Sequence, residues 1–183
     1  MTATIPYLWT VERYHQAIAA GLFTDEGVEL LRGELVVMPP EREPHAYTNS
    51  EIGDLLRGVL GQRVKVREAY PITLPNDSEP MPDVAIVKPL GKVYRERHPG
   101  PADIYWLVEV ANTSLNQDLT LKASIYAEAG IEEYWVVDVN KPELVVMREP
   151  RGREYRSVQR YSSGMVSPLA FADVQIAVGD LLV

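Results

Sequence analysis

Two nearly uninterrupted apolar runs constrain the fold of this chain more than any other feature of its sequence. Ile104–Ala111 and residues 134–139 consist almost entirely of apolar side chains. A strand with one solvated face alternates apolar and polar residues, whereas a strand buried on both faces reads as a continuous apolar run. Strands of the second kind need helices on both sides of their sheet. The sequence therefore predicts an α/β fold with a covered central sheet.

Two helical patterns supply the covering helices. Apolar residues recur at spacings of three or four over residues 44–60, which predicts a helix with His45 on its inward stripe. A later helix is predicted over residues 117–129, with Asn116 as its cap. Between the two helices, residues 83–87 form a short apolar strand that opens directly after a proline. This order of elements is typical of a mixed sheet with helices on its faces.

The rest of the chain predicts one more helix and two hairpins. Thr10 is the expected cap of a first helix whose apolar face extends to Leu22. Turn signals divide residues 28–38 and residues 143–160 into paired strands. The predicted fold class is therefore α/β: a restriction-endonuclease-like mixed central sheet flanked by helices, with an N-terminal helix and β-hairpin and a C-terminal hairpin. We expect one domain spanning residues 1–183.

Composition excludes several functional classes. The chain of 183 residues carries 26 acidic and 18 basic side chains, and its formal charge of −8 argues against coating nucleic acid or an anionic membrane through the whole surface. It contains no cysteine, which excludes disulfide scaffolds, thiolate zinc sites and cysteine nucleophiles. No apolar run approaches the roughly 20 residues of a membrane-spanning helix, and residues 1–10 lack a secretory signal pattern. We expect a cytoplasmic protein without membrane contact.

Glu109 is the most costly residue in the sequence because it interrupts a strand that should be buried on both faces. An unpaired buried carboxylate is strongly unfavourable unless it stays protonated. A metal ion, a Lys or Arg side chain, or an open cleft at the strand end could each compensate it. A buried ion pair without a catalytic role, or an edge position that faces solvent, explains this one residue equally well.

Asp83 favours the metal ion among these alternatives. It follows Pro82 at the start of a short apolar strand, and taken alone it is most simply a loop aspartate that closes a turn. Carboxylates at the ends of two adjacent buried strands, however, could hold one hard divalent cation and leave positions for water and a phosphate oxygen. Asp83 and Glu109 are therefore the candidate ligands of Mg²⁺.

Three further residues are candidates for the same cleft. Asp118 and Lys122 are one helical turn apart on the helix that follows the Glu109 strand, so their face of the helix could reach Glu109. An ordinary solvated salt bridge is the alternative for this pair. His45 lies near the start of its helix and could position water or phosphate, although a histidine bonded to a carbonyl group is the commoner arrangement.

Several parts of the chain match one family pattern: Pro82-Asp83, Val108-Glu109-Val110, Asp118 with Lys122, and the segments 28–36 and 126–138. Together they resemble the Uma-two family of endonucleases, which belongs to the PD-(D/E)xK, or restriction-endonuclease-like, superfamily. The resemblance covers nearly the whole chain, and residues 106–138 are its most specific part.

The resemblance implies a nuclease site at particular positions. Asp83 and Glu109 would ligate Mg²⁺ or Mn²⁺ as the cofactor. Lys122 would polarise or orient the attacking water. His45 and Asp118 match recurrent family positions and would have supporting roles.

One position departs from the strict motif, since the residue two places after Glu109 is Ala111 rather than lysine. Lys122 must then reach back from the helix, as looks usual in the family. The expected function is metal-dependent hydrolysis of DNA, and the alternative is a catalytically degenerate nuclease fold that binds nucleic acid or protein. Residues 88–98 and 148–160 are basic and could contact a DNA backbone, and two subunits could pair as a homodimer.

Overall fold

The structure is a computed structural model that describes residues 5–24, 27–38, 40 and 42–183. Its first elements are α1 (Val11–Ala19), β1 (Val28–Leu31), β2 (Glu34–Val37) and α2 (Glu43–Leu60). The strands of the main sheet are β3 (Lys65–Glu68), β4 (Val84–Val87), β5 (Ile104–Ala111), β6 (Glu133–Asp138), β7 (Glu143–Arg151) and β8 (Glu154–Tyr161). Between β5 and β6 lie α3 (Leu115–Gln117) and α4 (Ala123–Glu128), and a small sheet of β9 (Met165–Val166) and β10 (Ile176–Ala177) follows β8. Within these ranges no helix is long and apolar enough to cross a membrane.

The six-stranded sheet has the order β3-β4-β5-β6-β7-β8. β5 and β6 are parallel, and every other neighbouring pair is antiparallel. The parallel pair consists of the two apolar runs in the sequence, and parallel neighbours need a crossover, which the helical segment between them provides. The predicted mixed sheet with flanking helices and hairpins is confirmed.

The two faces of this sheet are covered by different helices. Ile52 of α2 packs in one buried cluster with Val108, and Ile125 of α4 packs in the other with Leu107. Side chains alternate between the two faces along a strand. Glu109, two residues after Leu107, therefore lies on the α4 face of β5.

The N-terminal helix packs on the β1–β2 hairpin. The hydroxyl of Thr10 accepts a hydrogen bond from the backbone N–H of Arg13 at 3.3 Å, as a cap should. The Tyr14 hydroxyl donates to the carbonyl of Val28 at 2.5 Å and anchors the helix. The expectation that the apolar face extends to Leu22 is wrong, because α1 ends at residue 19 and Leu22 is 65% exposed.

The helix predicted over residues 117–129 begins earlier and is irregular. Ser114 occupies the cap position, so the assignment of Asn116 as the cap is wrong; Asn116 lies within the first turn. Asp118–Lys122 form a π-helical segment between α3 and α4. Single π-helical turns inside α-helices often occur at functional sites, and this one carries two of the candidate site residues.

Candidate active site

A cleft of about 730 Å³ opens where β5 ends and β4 begins. The β1–β2 hairpin, the start of α2 and the π-helical segment form its walls. The cleft is lined by all five side chains that the sequence singled out: His45, Asp83, Glu109, Asp118 and Lys122. Residues that are far apart in the sequence thus meet at one end of the sheet.

Asp83 and Glu109 are neighbours across the β4–β5 pair. The antiparallel register joins Val84 to Val108, which places the residue before Val84 beside the residue after Val108. Both carboxylates are nearly inaccessible to solvent, with 9% of Asp83 and 2% of Glu109 exposed. Two acidic side chains therefore leave the sheet side by side at the base of the cleft.

Two contacts hold the Asp83 carboxylate through one of its oxygens. The backbone N–H of Val110 donates to Oδ2 at 2.6 Å. The Nε2 atom of His45 lies 3.2 Å from the same oxygen. No described residue donates a hydrogen bond to Oδ1, so this second oxygen is available to a ligand.

Glu109 is held in a similar way from the helical side. The Lys122 ammonium lies 3.1 Å from Oε1, and the Tyr126 hydroxyl donates to the same atom at 2.7 Å. Burial raises the pKa of the Glu109 carboxyl well above its usual range; Lys122 opposes this change and the neighbouring Asp83 adds to it. A bound cation in place of a proton would relieve the same cost.

Lys122 is surrounded by acidic side chains. Its Nζ lies 3.1 Å from Glu109, 3.9 Å from Asp118 and 4.0 Å from Glu29. Burial alone lowers the pKa of Lys122, but the surrounding carboxylates, Glu109 foremost, outweigh it and raise the pKa above its usual value. The amine therefore carries a positive charge at neutral pH.

The π-helical segment fixes Asp118 at the edge of the cleft. The Ser114 hydroxyl donates to Oδ2 of Asp118 at 2.6 Å, and the Tyr134 hydroxyl donates to the Asp118 carbonyl at 3.1 Å. Burial raises the pKa of the Asp118 carboxyl, and Lys122 partly offsets this change. Asp118 is thus held by the residues around it and contributes further negative charge near Lys122.

Comparison with family models matches residues 11–179 to Uma2, described as a "putative restriction endonuclease". The chain belongs to the Uma2 family. Its fold is similar to a crystal structure from Anabaena variabilis described as a "putative nuclease belonging to DUF820", with a TM-score of 0.64 and 17% identity over 86% of this chain and 90% of that one. At this identity the likeness concerns the fold. A search of curated proteins returned no match.

The donor set in this Uma2 protein suits a hard divalent cation. Lys122 is opposed by four buried carboxylates: Glu29, Asp83, Glu109 and Asp118. Within the described ranges, no three acidic or histidine side chains converge on a single cation position. Mg²⁺ commonly binds through one or two carboxylates and keeps several waters. Two protein ligands, with water and a phosphate oxygen completing the shell, therefore fit this cleft.

Sequence analysis did not identify Glu29 as part of the site. This residue of β1 is 2% exposed, and its Oε2 accepts a hydrogen bond from the backbone N–H of Met81 at 3.1 Å. It carries the same signal as Glu109, an acidic residue within an apolar strand. Tyr126 shares a helix face with Lys122, and this spacing could have indicated its contact with Glu109.

The two other histidines of this Uma2 protein lie outside the cleft. The Nε2 of His15 is 2.8 Å from both carboxylate oxygens of Glu79, and the Nε2 of His98 is 4.0 Å from one of them. The Thr73 hydroxyl also donates to Glu79 at 2.7 Å. This buried carboxylate links α1 to the segment before β4, and burial lowers the pKa of His98 there.

Proposed function

We propose that this Uma2 protein is a metal-dependent endonuclease that hydrolyses phosphodiester bonds in DNA. The observation that carries the proposal is the side-by-side placement of Asp83 and Glu109 in a cleft where carboxylates outnumber Lys122. Buried negative charge in such excess needs bound protons or cations. Hydrolysis of a phosphodiester needs a nucleophile made from water and compensation of the charge on the phosphate.

Asp83 and Glu109 are the residues that would hold Mg²⁺ or Mn²⁺. When bound, such a cation lowers the pKa of a water and neutralises charge on the phosphate. The chain contributes rigid placement of the ligands. Val110 and His45 fix one oxygen of Asp83, and Tyr126 fixes one oxygen of Glu109. In both carboxylates the second oxygen is left to bind a ligand.

Lys122 would act as a positive charge rather than as a base. Its pKa is raised, so the ammonium has no free electron pair to accept a proton from water at neutral pH. Located 3.1 Å from Glu109, it can orient a water and stabilise the negative charge that develops on the phosphate. Asp118, 3.9 Å away, helps to keep the ammonium in place.

Nicking of supercoiled plasmid in Mg²⁺ or Mn²⁺ tests this proposal. Asp83→Asn and Glu109→Gln each remove one charge at nearly constant size, and each should lower the nicking rate by about 100-fold or more. Glu51→Gln is the matched control, because Glu51 is an exposed carboxylate on α2. Nicking that survives equally in Asp83→Asn would place the activity elsewhere and refute the proposal.

A degenerate nuclease fold that binds nucleic acid or protein without cutting is the second candidate. The presence of Ala111 where the strict motif has lysine, and the formal charge of −8, favour it. Binding of DNA or a protein partner without nicking in any divalent metal would support this candidate. A cytoplasmic location and the pairing of two subunits also stay predictions, and light scattering of the purified chain tests the second.

A further inference from the structure

Cations without carboxylate partners gather at one edge of the main sheet. β3 is that edge strand, and the 3₁₀ turn Gly91–Arg95 follows its neighbour β4. Five basic side chains in this region form no ion pair with any residue in the described ranges: Lys65, Arg67, Lys88, Lys92 and Arg95. With Tyr70 and Tyr94 they form what we call the β3-edge surface.

The second basic segment, residues 148–160, is different because most of its charge is neutralised within the fold. Arg148 pairs with Glu133 at 2.6 Å, and Arg153 pairs with Glu128 at 2.9 Å. Arg160 is paired with a glutamate as well. Of the two segments that the sequence marked as basic, residues 88–98 therefore leave more positive charge available to a ligand.

Arg67 lies at the centre of the β3-edge surface. Its guanidinium carbon is 5.1 Å from the centre of the Tyr70 ring and 5.5 Å from that of Tyr94. Burial lowers the pKa of Arg67, and within the described ranges its Nε makes no hydrogen bond. The tyrosines thus hold the plane of the guanidinium while its hydrogen-bond donors stay uncommitted.

Acidic residues close to this surface are largely neutralised by other partners. Glu68 is paired with Arg57, and Asp103 is paired with Arg97 at 2.5 Å. Glu96 is the remaining acidic residue between the basic side chains of the 88–98 segment. The local charge is therefore positive although the chain as a whole is acidic.

The β3-edge surface adjoins the catalytic cleft. The backbone N–H of Ala69 donates to the carbonyl of Asp83 at 3.1 Å, and Ala69 itself lines the cleft. Arg67 is two residues away along the strand, about 7 Å at the usual rise of an extended chain. Tyr70, the residue after Ala69, is 59% exposed. A polymer lying along this edge would pass directly from the cations to the carboxylates.

We propose that the β3-edge surface binds the phosphate backbone of DNA and guides it into the cleft. The inference rests on the proposed function, since the cleft is where the bound strand would be hydrolysed. An arginine whose planar face packs on aromatic rings can still donate hydrogen bonds to a phosphate from its edge. Lysines add point charges, and an exposed tyrosine ring such as Tyr70 can stack on a base of an unpaired strand.

Fluorescence anisotropy of a fluorescein-labelled DNA duplex, and of one of its strands alone, tests the inference. The full chain is titrated in EDTA, where a metal-dependent enzyme does not consume the probe. Arg67→Ala and the double variant Lys92→Ala/Arg95→Ala should each weaken binding by about tenfold or more, and the salt slope of log K should fall by about 0.9 per lost duplex contact or about 0.7 per lost single-strand contact. The double variant alters exposed side chains alone, so it tests the charge without disturbing the core.

Arg156→Ala is the matched control. Arg156 is an exposed arginine on β8, the opposite edge strand, without an ion pair in the described ranges, and its loss should leave DNA binding at the wild-type level. The inference is overturned if the Arg67 and Lys92/Arg95 variants bind DNA like Arg156→Ala, or if the wild type binds neither probe at low salt. If the wild type nicks plasmid and these variants bind normally, the inference alone fails. If the surface binds DNA as expected and no metal supports nicking, the inference stands and the proposed function fails.

Discussion

Lys122 approaches Oε1 of Glu109 to 3.1 Å from the π-helical segment after β5, and not from β5 itself. The residue two places after Glu109 shares its face of the strand, and here that residue is the fully buried Ala111. An ammonium delivered by the following helix therefore occupies the place that a lysine on the strand would fill. The charge arrangement is preserved although the spacing in the sequence differs.

Replacement of Lys122 by methionine removes the ammonium and keeps an unbranched side chain. We expect the rate of plasmid nicking at saturating Mn²⁺ to fall by about 10²–10³-fold, because the charge that opposes the developing phosphate charge is lost. Circular dichroism establishes whether the variant is folded. A folded Lys122→Met protein that nicks at nearly the wild-type rate would disprove this role.

Metal binding should depend on pH because the cation competes with protons. Burial raises the pKa of Glu109 above its ordinary 4.5 and that of Asp118 above 3.8. The stability that these groups give the metal-free fold is present below the ordinary values and is lost as the pH rises through the raised ones. The increase in Tm produced by Mn²⁺ should therefore be larger at about pH 8 than at about pH 5. Scanning fluorimetry measures it; an equal increase at both pH values, or in Asp83→Asn, would count against the site.

His45 should affect metal affinity more than the chemical step, because it contacts Oδ2 of Asp83 from the side. We expect His45→Ala to raise the Mn²⁺ concentration for half-maximal nicking by about 10–100-fold. His15→Ala is the control, since His15 contacts Glu79 outside the cleft. A reduced maximal rate with an unchanged Mn²⁺ requirement would show that His45 acts in another way.

Glu133 is a buried carboxylate that we expect to serve stability alone. It is fully buried and accepts hydrogen bonds from Arg148, from the Trp135 indole at 2.9 Å and from the Leu169 N–H at 2.7 Å. Arg148→Met should lower the free energy of unfolding by about 3–5 kcal/mol, because it leaves this charge without its cation. Arg160→Met, which breaks an exposed pair, should cost about 1 kcal/mol or less. Urea unfolding compares them, and equal losses would refute the distinction.

The central sheet was predictable from sequence because its inner strands are apolar on both faces. The strand Ile104–Ala111 has the predicted bounds, and the turn residues of both hairpins marked their positions. Local pattern failed where packing over a longer range decides the structure. The periodicity that includes Leu22 continues beyond the end of α1, and no local signal marks the π-helical segment Asp118–Lys122.

The location of the candidate site was predictable in part. Asp83 and Glu109 could be identified because they are acidic residues at buried strands, and Lys122 because helical spacing places it near the end of β5. The approach of Glu29 depends on how the hairpin packs against the sheet, which its own segment does not encode. Sequence also does not separate Glu109 from Glu133, since both are acidic residues in apolar surroundings and only their spatial partners differ.

Anomalous diffraction from crystals soaked in Mn²⁺ tests the central claim most directly. The account predicts a manganese peak in contact with the carboxylates of Asp83 and Glu109, and loss of that peak in crystals of Glu109→Gln. A peak elsewhere on the chain, or an empty cleft at saturating Mn²⁺, would contradict the account.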